Sequence, residues 1–422
     1  MLRDRLKHSE SGHGPGGLGT CRVCGAALSA PFADLGLSPI ANDMVRQEHL
    51  TRCEPFFPLN AMVCEQCWLV QLTYSHPASN LFTDNYPYFS SYSASWLAHA
   101  EDYAGQMIMR FELGAQHRVV EVASNDGYLL RFFKDRGVGV MGIEPCANVA
   151  TAAREQHGIH TVSEFFGRSG GARLAREFGA ADLMVANNVL AHVPDTLDFL
   201  AGFAELLGPQ GVATFEFPHL LELIRHNQFD TIYHEHFCYL SLLSVRHALS
   251  RVGLRPFDVQ RLRTHGGSLR LMVCHEASDH RSTEALRALE AEESEAGLKR
   301  SEIYAEFQDR VRHAKRLLLS FLIDAKEKGK RIVGYGAPAK GNTLLNFCGI
   351  GTDFLDFTVD ISPHKQGLYL PGSRLPVLSP KAIYESKPDY VLILPWNLAD
   401  EVMKQNSQIS DWGGDSWFRS RK

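Results

Sequence analysis

The sequence predicts an α/β protein made of a small N-terminal metal-binding module and two units with parallel sheets. Residues 115–275 alternate apolar, strand-like runs with helical stretches, which is typical of a parallel sheet covered by helices. A shorter alternation of the same kind occupies residues 331–395, and two CxxC pairs stand near the N-terminus. The chain has 422 residues, which is too long for one core because domains usually have about 100–200.

Composition and charge indicate an ordinary globular protein. Hydrophobic residues make up 45% of the chain and charged residues 22%. A formal net charge of −5 disfavours a protein that wraps nucleic acid, since such proteins carry a basic face. The first twenty residues lack the apolar stretch of a signal peptide, and no run approaches the roughly 18 apolar residues of a membrane span. We therefore expect a cytoplasmic protein without nucleic-acid or membrane partners.

The predicted organisation has six segments. Residues 1–20 read as a disordered extension and residues 410–422 as a flexible tail. Between them we expect a metal-binding module at 21–75, a first α/β unit at 76–280, a helical connector at 281–330 and a second, smaller α/β unit at 331–409.

Four of the nine cysteines form the two CxxC pairs. Four thiolates give Zn²⁺ a closed tetrahedral site that holds a fold and does no chemistry. The alternatives are a redox-active pair and cysteines that merely pack. The other five cysteines are scattered, which does not fit a secreted disulfide framework. We therefore predict structural zinc, with the ligands Cys21, Cys24, Cys64 and Cys67.

The segment VVEVASNDGYLLRFF predicts a strand, a tight turn and a helix. Its turn has one glycine and short polar side chains, whereas a dinucleotide fold would offer GxGxxG to a pyrophosphate. This favours S-adenosylmethionine over NAD. An acidic residue at the end of the next strand can accept the ribose hydroxyls, and a later strand ends in two asparagines. The predicted cofactor-binding residues are Glu121, Ser124, Asn125, Asp126, Gly127, Glu144, Asn187 and Asn188.

The segment TIYHEHFCYL combines residues that suit proton transfer. Histidine is the natural general base near neutral pH, and a tyrosine hydroxyl can stabilise a developing oxyanion. A metal site from His234, Glu235 and His236 is one alternative, and a polar edge strand with satisfied histidines is another. His192 follows the two asparagines. The aromatic run NYPYFSSYS offers further polar groups, with a packed aromatic loop as the alternative.

The segment RIVGYGAPAKGNTLLN predicts a strand, a glycine-rich turn and a helix in the second α/β unit. Gly336 permits close backbone approach, and Lys340 can meet a phosphate. The order Lys-Gly excludes a Walker A loop. Asp360 stands at the next strand end and Lys365 in the loop after it. We expect a crevice that accepts an anionic nucleotide; the alternative is a structural domain with an unused crevice.

Nine ordered motifs resemble the sugar 3-C-methyltransferases of deoxysugar biosynthesis: CRVC…CEQC, YPYFSSYS, EVASNDGYLL, GIEP, NNVLAHVPD, YHEHFCYLSL, GYGAPAKGNTLLN, VDISPHKQG and LPWN. The resemblance runs from about residue 20 to about residue 405. It implies an N-terminal zinc-binding domain, a central S-adenosylmethionine domain and a C-terminal Rossmann-like domain that binds a nucleotide sugar. The implied substrate is a nucleotide-linked 4-keto-deoxyhexose, often dTDP-linked and sometimes carrying a 3-amino group, as in antibiotic biosynthesis.

The resemblance also implies residue roles. It places the catalytic base on His236, with Glu235 as its acidic neighbour, and gives a role to a tyrosine of YPYFSS, either Tyr86 or Tyr88. Tyr233 and His192 complete the predicted catalytic set. The predicted substrate-binding residues are Ser90, Ser91, Gly336, Lys340, Asn342, Asp360 and Lys365.

In the predicted reaction, His236, oriented by Glu235, removes the C-3 proton, and the resulting enolate takes the methyl group. The alternatives are methyl transfer to oxygen or nitrogen of a small molecule, and a zinc-module adaptor that acts on RNA or protein. The sugar, the nucleotide and the oligomeric state stay open, with a monomer allowed.

Overall fold

The computed structural model describes residues 19–74 and 89–413 and the backbone of 418–419. Tyr86 and Tyr88 lie outside the described residues, as do residues 1–18 of the predicted extension. The described chain forms three sheets of four, seven and five strands. No helix in this part of the chain is both long and apolar enough to cross a membrane.

The first sheet belongs to the metal-binding module. Its strands β1 (Ala30–Ser38), β2 (Phe57–Val63) and β3 (Val70–Leu72) are antiparallel neighbours in that order. β3 is buried along its whole length, and β2 is buried at its second half. This sheet therefore packs against the rest of the chain and is not a free module.

The second sheet is the predicted central α/β unit. Its strands are β4 (Arg118–Val122), β5 (Gly139–Ile143), β6 (Thr161–Val162), β7 (Ala181–Asn187), β8 (Leu207–Pro218), β10 (Leu254–Leu262) and β11 (Ser268–His275). The spatial order is β10-β11-β8-β7-β4-β5-β6, with β11 antiparallel to its neighbours and the other pairings parallel. Strands β5 and β6 lie on one side of β4, and β7 and β8 lie on the other. The strand order therefore reverses between β4 and β7, and a ligand crevice is expected at the carboxyl ends of these two strands.

Helices cover this sheet: α1 (Ala94–Phe111), α2 (Leu130–Lys134), α3 (Ala147–His157), α4 (Arg168–Phe178), α5 (Thr196–Leu206), α6 (Leu220–Arg225) and α7 (Leu242–Ser250). Three of them, α1, α5 and α7, begin with a side-chain cap, from Ser93, Asp195 and Ser241. The Ser93 side chain accepts a hydrogen bond from Trp96 N at the start of α1, and Ser241 and Ser244 form a reciprocal capping box at the start of α7.

Strand β9 (Cys238–Tyr239) leaves the central unit. It pairs antiparallel with β3, with Gln71 opposite Cys238 and Val70 opposite Tyr239. The histidine-containing segment is therefore continued by an edge strand of the zinc-module sheet, which no local sequence pattern predicts.

The predicted helical connector contains α8 (Glu284–Glu295), α9 (Ser301–Ala305) and α10 (Phe307–Glu327). The third sheet follows, and its five strands pair in parallel. Its strands are β12 (Ile332–Tyr335), β13 (Thr358–Val359), β14 (Val377–Leu378), β15 (Tyr390–Ile393) and β16 (Phe418–Arg419), and its helices are α11 (Ala339–Cys348), α12 (Lys381–Ser386) and α13 (Ala399–Gln405).

Part of the segment predicted as a flexible tail is structured. Residues Ser407–Trp412 form a 3-10 helix, and Trp412 donates from its indole N–H to Pro388 O at 3.2 Å. Beyond it, β16 pairs with β15. An indole that buries its ring needs a partner for its N–H, which accounts for this anchoring.

The three sheets share their hydrophobic cores. One cluster joins the zinc-module cysteines to Phe217 and Phe237 of the central unit. A second cluster joins Phe32 of β1 to Val311 of α10 and Leu344 of α11. Residues from different sheets are therefore held in fixed relation where the functional groups meet.

Candidate active site and zinc centre

The four predicted zinc ligands converge on one point. Their sulfur atoms all lie within 4.8 Å of one another, with 3.4 Å between Cys21 and Cys67 and 3.4 Å between Cys24 and Cys64. Two tight turns aim the thiols: Gly25 N donates to Cys21 O, and Trp68 N donates to Cys64 O. Zn–S bonds of about 2.3 Å place tetrahedral sulfurs about 3.8 Å apart, so the donor set fits zinc. The cluster is a structural zinc site, as predicted.

Within the part of the chain that the structure describes, this is the only group of three or more histidine, cysteine and acidic residues placed to hold a metal. The alternative metal site from His234, Glu235 and His236 is therefore not formed. His234 contacts Pro58 O through Nε2 at 3.2 Å, whereas the His236 nitrogens contact Tyr233 and Thr231. The segment turns at this point, since His236 N donates to Tyr233 O, and the two imidazoles diverge.

The predicted cofactor turn follows β4 and has a backbone that requires glycine. Gly127 has φ +79°, and a Cβ there would lie 2.6 Å from Ile159 Cδ1. Asn125 adopts φ +50°, a conformation that asparagine tolerates better than most residues. Ser124 N donates to Ile143 O, which ties the turn to the end of β5.

Several buried polar groups around this turn have no partner among the described residues. They are the oxygens Glu121 Oε2, Ser124 Oγ, Asp126 Oδ1, Asn187 Oδ1 and Asn188 Oδ1. A buried polar group left unpaired costs about 1–3 kcal/mol, so five of them at adjacent strand ends indicate a place for a polar ligand. Burial also raises the pKa of Glu121 well above its ordinary range, while a hydrogen bond from Tyr128 lowers it. Hydroxyl and amino groups of S-adenosylmethionine fit this set of acceptors.

Glu144 has a structural task at the same place. Its two oxygens accept from Asn125 N and from Cys146 N, each at 2.9 Å. A carboxylate oxygen has two acceptor sites, so the predicted contact with ribose hydroxyls remains compatible with this geometry. Glu144→Ala would leave two buried backbone amides without acceptors, so we expect this change to destabilise the fold.

Ser90 and Ser91, which we predicted as substrate-binding residues, contact the cofactor turn. Ser90 N donates to Asn125 Oδ1 at 2.9 Å, and the Ser91 hydroxyl donates to Asp126 Oδ2 at 2.5 Å. The next residue, Tyr92, stacks on the ring of His364 with 6.2 Å between ring centroids. The short 3-10 helix Ser90–Tyr92 therefore connects the cofactor turn to the C-terminal unit.

His236 has a defined hydrogen-bonding pattern. Its Nδ1 lies 2.8 Å from Thr231 O, and a carbonyl can only accept, so this nitrogen carries the proton. Nε2 then accepts from the Tyr233 hydroxyl at 2.8 Å. Burial lowers the pKa of His236 well below its ordinary value, with a smaller contribution from His192. The imidazole is therefore neutral near pH 7, as a general base must be.

His192 is the second histidine of the site. Its Nδ1 lies 2.8 Å from the backbone oxygen of Glu235, and its ring is edge-to-face with that of His236 at 4.6 Å. Burial lowers the pKa of His192 to about 4. Both imidazoles are thus aligned by backbone carbonyls and are uncharged near neutral pH.

The Glu235 carboxylate does not orient His236, contrary to our prediction. Both of its oxygens accept from Asn42 Nδ2, at 2.9 and 2.8 Å. Burial raises the pKa of Glu235 to about 7, opposed by the Asn42 hydrogen bond and by the charge of Lys365. The group that aligns His236 is the carbonyl of Thr231, because the chain turns back on itself within this segment.

The predicted substrate residues of the C-terminal unit surround its glycine-rich turn. Asp360 accepts from Ala337 N at 2.7 Å and from Ser362 N at 2.8 Å, and Lys365 donates to Ala337 O at 2.8 Å. These contacts build the turn itself. Gly336 has φ +89°, and a Cβ there would lie 2.5 Å from Pro395.

Lys340 and Asn342 lie on the first turn of α11. Lys340 donates to Asn397 Oδ1 at 2.8 Å and lies 4.7 Å from the ring centroid of Trp396. Its charge also lowers the pKa of His236, so this cation faces the histidines across the junction between the two units. Asn342 is 1% exposed, and neither atom of its amide has a partner among the described residues.

Sequence reasoning missed four residues of the site. Trp396 and Asn397 lie inside LPWN, a motif that carried the resemblance, and Thr231 lies in the segment TIYHEHFCYL, so a signal for them existed. Asn42 had none, because a single asparagine in a turn-rich stretch is ordinary.

Comparison with known proteins agrees with this arrangement. Family models match residues 21–82 (a zinc-binding domain), 96–259 (a methyltransferase domain) and 263–419 (a C-methyltransferase C-terminal domain). The C-methyltransferase NovU of Streptomyces niveus is 36% identical over 394 residues, which are 93% of each chain.

Solved structures are less similar. Magnesium protoporphyrin IX methyltransferase from Synechocystis PCC 6803, with bound S-adenosylmethionine, matches with a TM-score of 0.34 and 13% identity, over 47% of this chain and 88% of that one. An S-adenosylmethionine-dependent methyltransferase from Mesorhizobium loti matches with a TM-score of 0.33 and 15% identity, over 42% of this chain and 99% of that one.

The predictions of fold class, cofactor, structural zinc and enzyme class are confirmed, and transfer to carbon is favoured over transfer to oxygen or nitrogen. The chain belongs to the S-adenosylmethionine-dependent C-methyltransferases that carry an N-terminal zinc-binding domain.

Proposed function

We propose that this C-methyltransferase adds a methyl group to C-3 of a nucleotide-linked 4-keto-deoxysugar in the cytoplasm, with His236 as the base. The observation that carries the proposal is the neutral imidazole of His236, whose Nε2 lies 2.8 Å from the Tyr233 hydroxyl. Carbon becomes a nucleophile only after it loses a proton, and C-3 is acidified by the neighbouring C-4 carbonyl. The neutral imidazole can remove the C-3 proton, and the hydroxyl beside it can donate to the C-4 oxygen on which negative charge develops.

The bound cofactor supplies an electrophilic methyl group, and the chain supplies the proton chemistry. As Nε2 of His236 takes the C-3 proton, the C–H electron pair passes into an enolate whose charge rests on the C-4 oxygen. The donor to that oxygen is the Tyr233 hydroxyl, since the Nδ1 proton of neutral His192 is already donated to Glu235 O. A positioned base accelerates such a step by about 10²–10⁴-fold. C-3 would take the methyl group as the bond from that methyl to the cofactor sulfur breaks, with the electron pair of that bond staying on sulfur. The C-4 carbonyl is then restored, and His236 keeps the proton until solvent removes it.

Charge distribution supports a nucleotide-linked substrate. Polar and acidic groups gather at the cofactor turn, whereas Lys340 and Lys365 stand on the C-terminal side. The charge of Lys340 contributes to the lowered pKa of His236, and the charge of Lys365 opposes the raised pKa of Glu235, so both cations act on the histidine segment. A diphosphate bound at the lysines would leave the sugar beside His236 and the buried amide of Asn342 nearby.

The test is a screen of dTDP-4-keto-deoxysugars with isotopically labelled S-adenosylmethionine, with product detected by mass. A methylated sugar nucleotide carrying the label at C-3 is the expected result. Methyl transfer at oxygen or nitrogen, or labelling of RNA or protein but of no sugar nucleotide, would overturn the proposal. The same screen with UDP- and GDP-linked sugars reports which nucleotide is accepted.

A further inference from the structure

The zinc-binding domain reaches the active site at two points. The first is the sheet: β9 pairs with β3, and Leu72 N donates to Phe237 O at 3.0 Å. β3 begins at Val70, directly after the turn that carries Cys64 and Cys67. The residue after His236 is thus tied to a strand whose position depends on the zinc site.

The second point is a side-chain contact between Asn42 and Glu235. The amide nitrogen of Asn42 lies 2.9 and 2.8 Å from the two carboxylate oxygens. Glu235 is 8% exposed, whereas Asn42 is exposed. The backbone oxygen of Glu235 meanwhile accepts from His192 Nδ1 at 2.8 Å. One residue therefore contacts the zinc-binding domain with its side chain and aligns a site histidine with its backbone.

We propose that Asn42 is a positioning residue of the active site, which holds Glu235 and through it the peptide that aligns His192 beside His236. The proposal rests on the proposed function for its catalytic consequence. The zinc-binding domain then contributes to catalysis by placing this segment as well as by supporting the fold.

The electrostatic setting makes this role measurable. The groups that act on the Glu235 side chain are the neutral amide of Asn42 and the charge of Lys365 from the C-terminal unit, while neutral His192 from the central unit contacts its backbone oxygen. Burial raises the pKa of Glu235 to about 7, and Asn42 and Lys365 oppose that rise. Removal of the Asn42 donor should therefore raise this pKa further. A raised pKa in the folded state makes ionisation costly, so the stability lost in the variant should be larger above pH 7 than below it.

The first experiment measures thermal unfolding of the zinc-loaded full chain at about pH 5.5 and about pH 8.5, within the window that this pKa defines. Asn42→Ala should lower the melting temperature by several degrees more at the higher pH. Asp43→Ala, a change of the exposed neighbour, should show no such difference. In a Glu235→Gln background the extra loss at high pH should disappear. An equal effect of Asn42→Ala at both pH values, or persistence of the pH-dependent part in that background, would overturn the proposal.

The second experiment measures turnover. Asn42→Ala should lower kcat by about tenfold, as is typical when an outer-shell residue that orients a site group is removed, and leave zinc content and S-adenosylhomocysteine binding unchanged. Asn42→Asp keeps the shape, and a protonated aspartic acid can replace the amide donor. Its defect should therefore be smaller at pH 6 than at pH 8. An unchanged kcat in Asn42→Ala would overturn the proposal that Asn42 positions the active site for catalysis. A wild type that methylates no sugar nucleotide contradicts the proposed function alone, and the unfolding experiment still decides the role of Asn42.

Discussion

At the scale of single residues, the site depends on hydrogen bonds that select a protonation state. The carbonyl of Thr231 fixes the proton on Nδ1 of His236 and leaves Nε2 as an acceptor. The Glu235 carbonyl likewise fixes the proton of His192 on Nδ1 and leaves its Nε2 as an acceptor. Burial then keeps both imidazoles neutral. Carbonyl anchors of this kind do not titrate, so the basic nitrogen stays available over a wide pH range.

His236→Gln should abolish turnover while binding of both ligands is retained, because the amide preserves polarity but cannot take a proton. Solvent deuterium exchange at C-3, followed by NMR with S-adenosylhomocysteine bound, separates proton removal from methyl transfer. We expect exchange in the wild type and a loss of about 10²-fold or more in the variant. Tyr233→Phe is the comparison: it should keep measurable exchange if its hydroxyl stabilises the enolate only. Equal exchange in wild type and His236→Gln would show that another group is the base.

Glu144 gives a prediction that separates structure from binding. Glu144→Gln keeps one oxygen for a backbone amide, whereas Glu144→Ala keeps none. We expect Glu144→Ala to lose about 1–3 kcal/mol of folding free energy for each orphaned amide. Glu144→Gln should lose less stability and weaken S-adenosylhomocysteine binding, measured by calorimetry. Unchanged binding in Glu144→Gln would exclude a ribose contact by this carboxylate.

At the scale of elements, the pairing of β3 with β9 links the zinc turns to the histidine segment. Cys64→Ser removes one ligand of a closed site, and such sites contribute folding energy directly. We expect loss of zinc, a lower melting temperature and faster amide hydrogen exchange at Phe237–Tyr239. Cys53→Ser, a change of an exposed cysteine outside the cluster, should retain zinc and normal exchange. Zinc-free Cys64→Ser with wild-type exchange in β9 would contradict the link.

At the scale of the whole molecule, the three units are joined around the site. Val45 and Tyr369 exchange two backbone hydrogen bonds, at 2.9 and 2.8 Å, and Gly372 N donates to Glu54 Oε1 at 2.9 Å. Thr343 Oγ1 donates to Ile232 O at 3.1 Å, which places the start of α11 against the histidine segment. The C-terminal unit is thereby fixed relative to the residues that do the chemistry.

Lys340→Ala tests whether the C-terminal unit binds the phosphates of the nucleotide sugar. Loss of a cation that meets phosphate should raise KM for the nucleotide sugar by about tenfold or more, since charge-assisted hydrogen bonds contribute about 1.5–3 kcal/mol. Affinity for S-adenosylhomocysteine should not change, because Lys340 lies on the opposite side of the site. Lys328→Ala, which removes an exposed lysine paired with Asp324, is the matched control. A lowered kcat with unchanged KM would instead place Lys340 in the chemical step.

The zinc ligands, the strand-turn-helix around the cofactor turn and the α/β class could all be predicted from the amino-acid sequence. Each of these depends on residues close together in the chain, as in the CxxC pairs and in SNDG after a buried strand. Three features became visible only in the folded chain: β9 joins the zinc-module sheet, Ser91 donates to Asp126, and Glu235 contacts Asn42 while Thr231 aligns His236. A hydrogen-bond partner far along the chain is selected by how the sheets pack. Helix or strand periodicity predicts which face of an element is buried, but it does not predict which distant residue that face contacts.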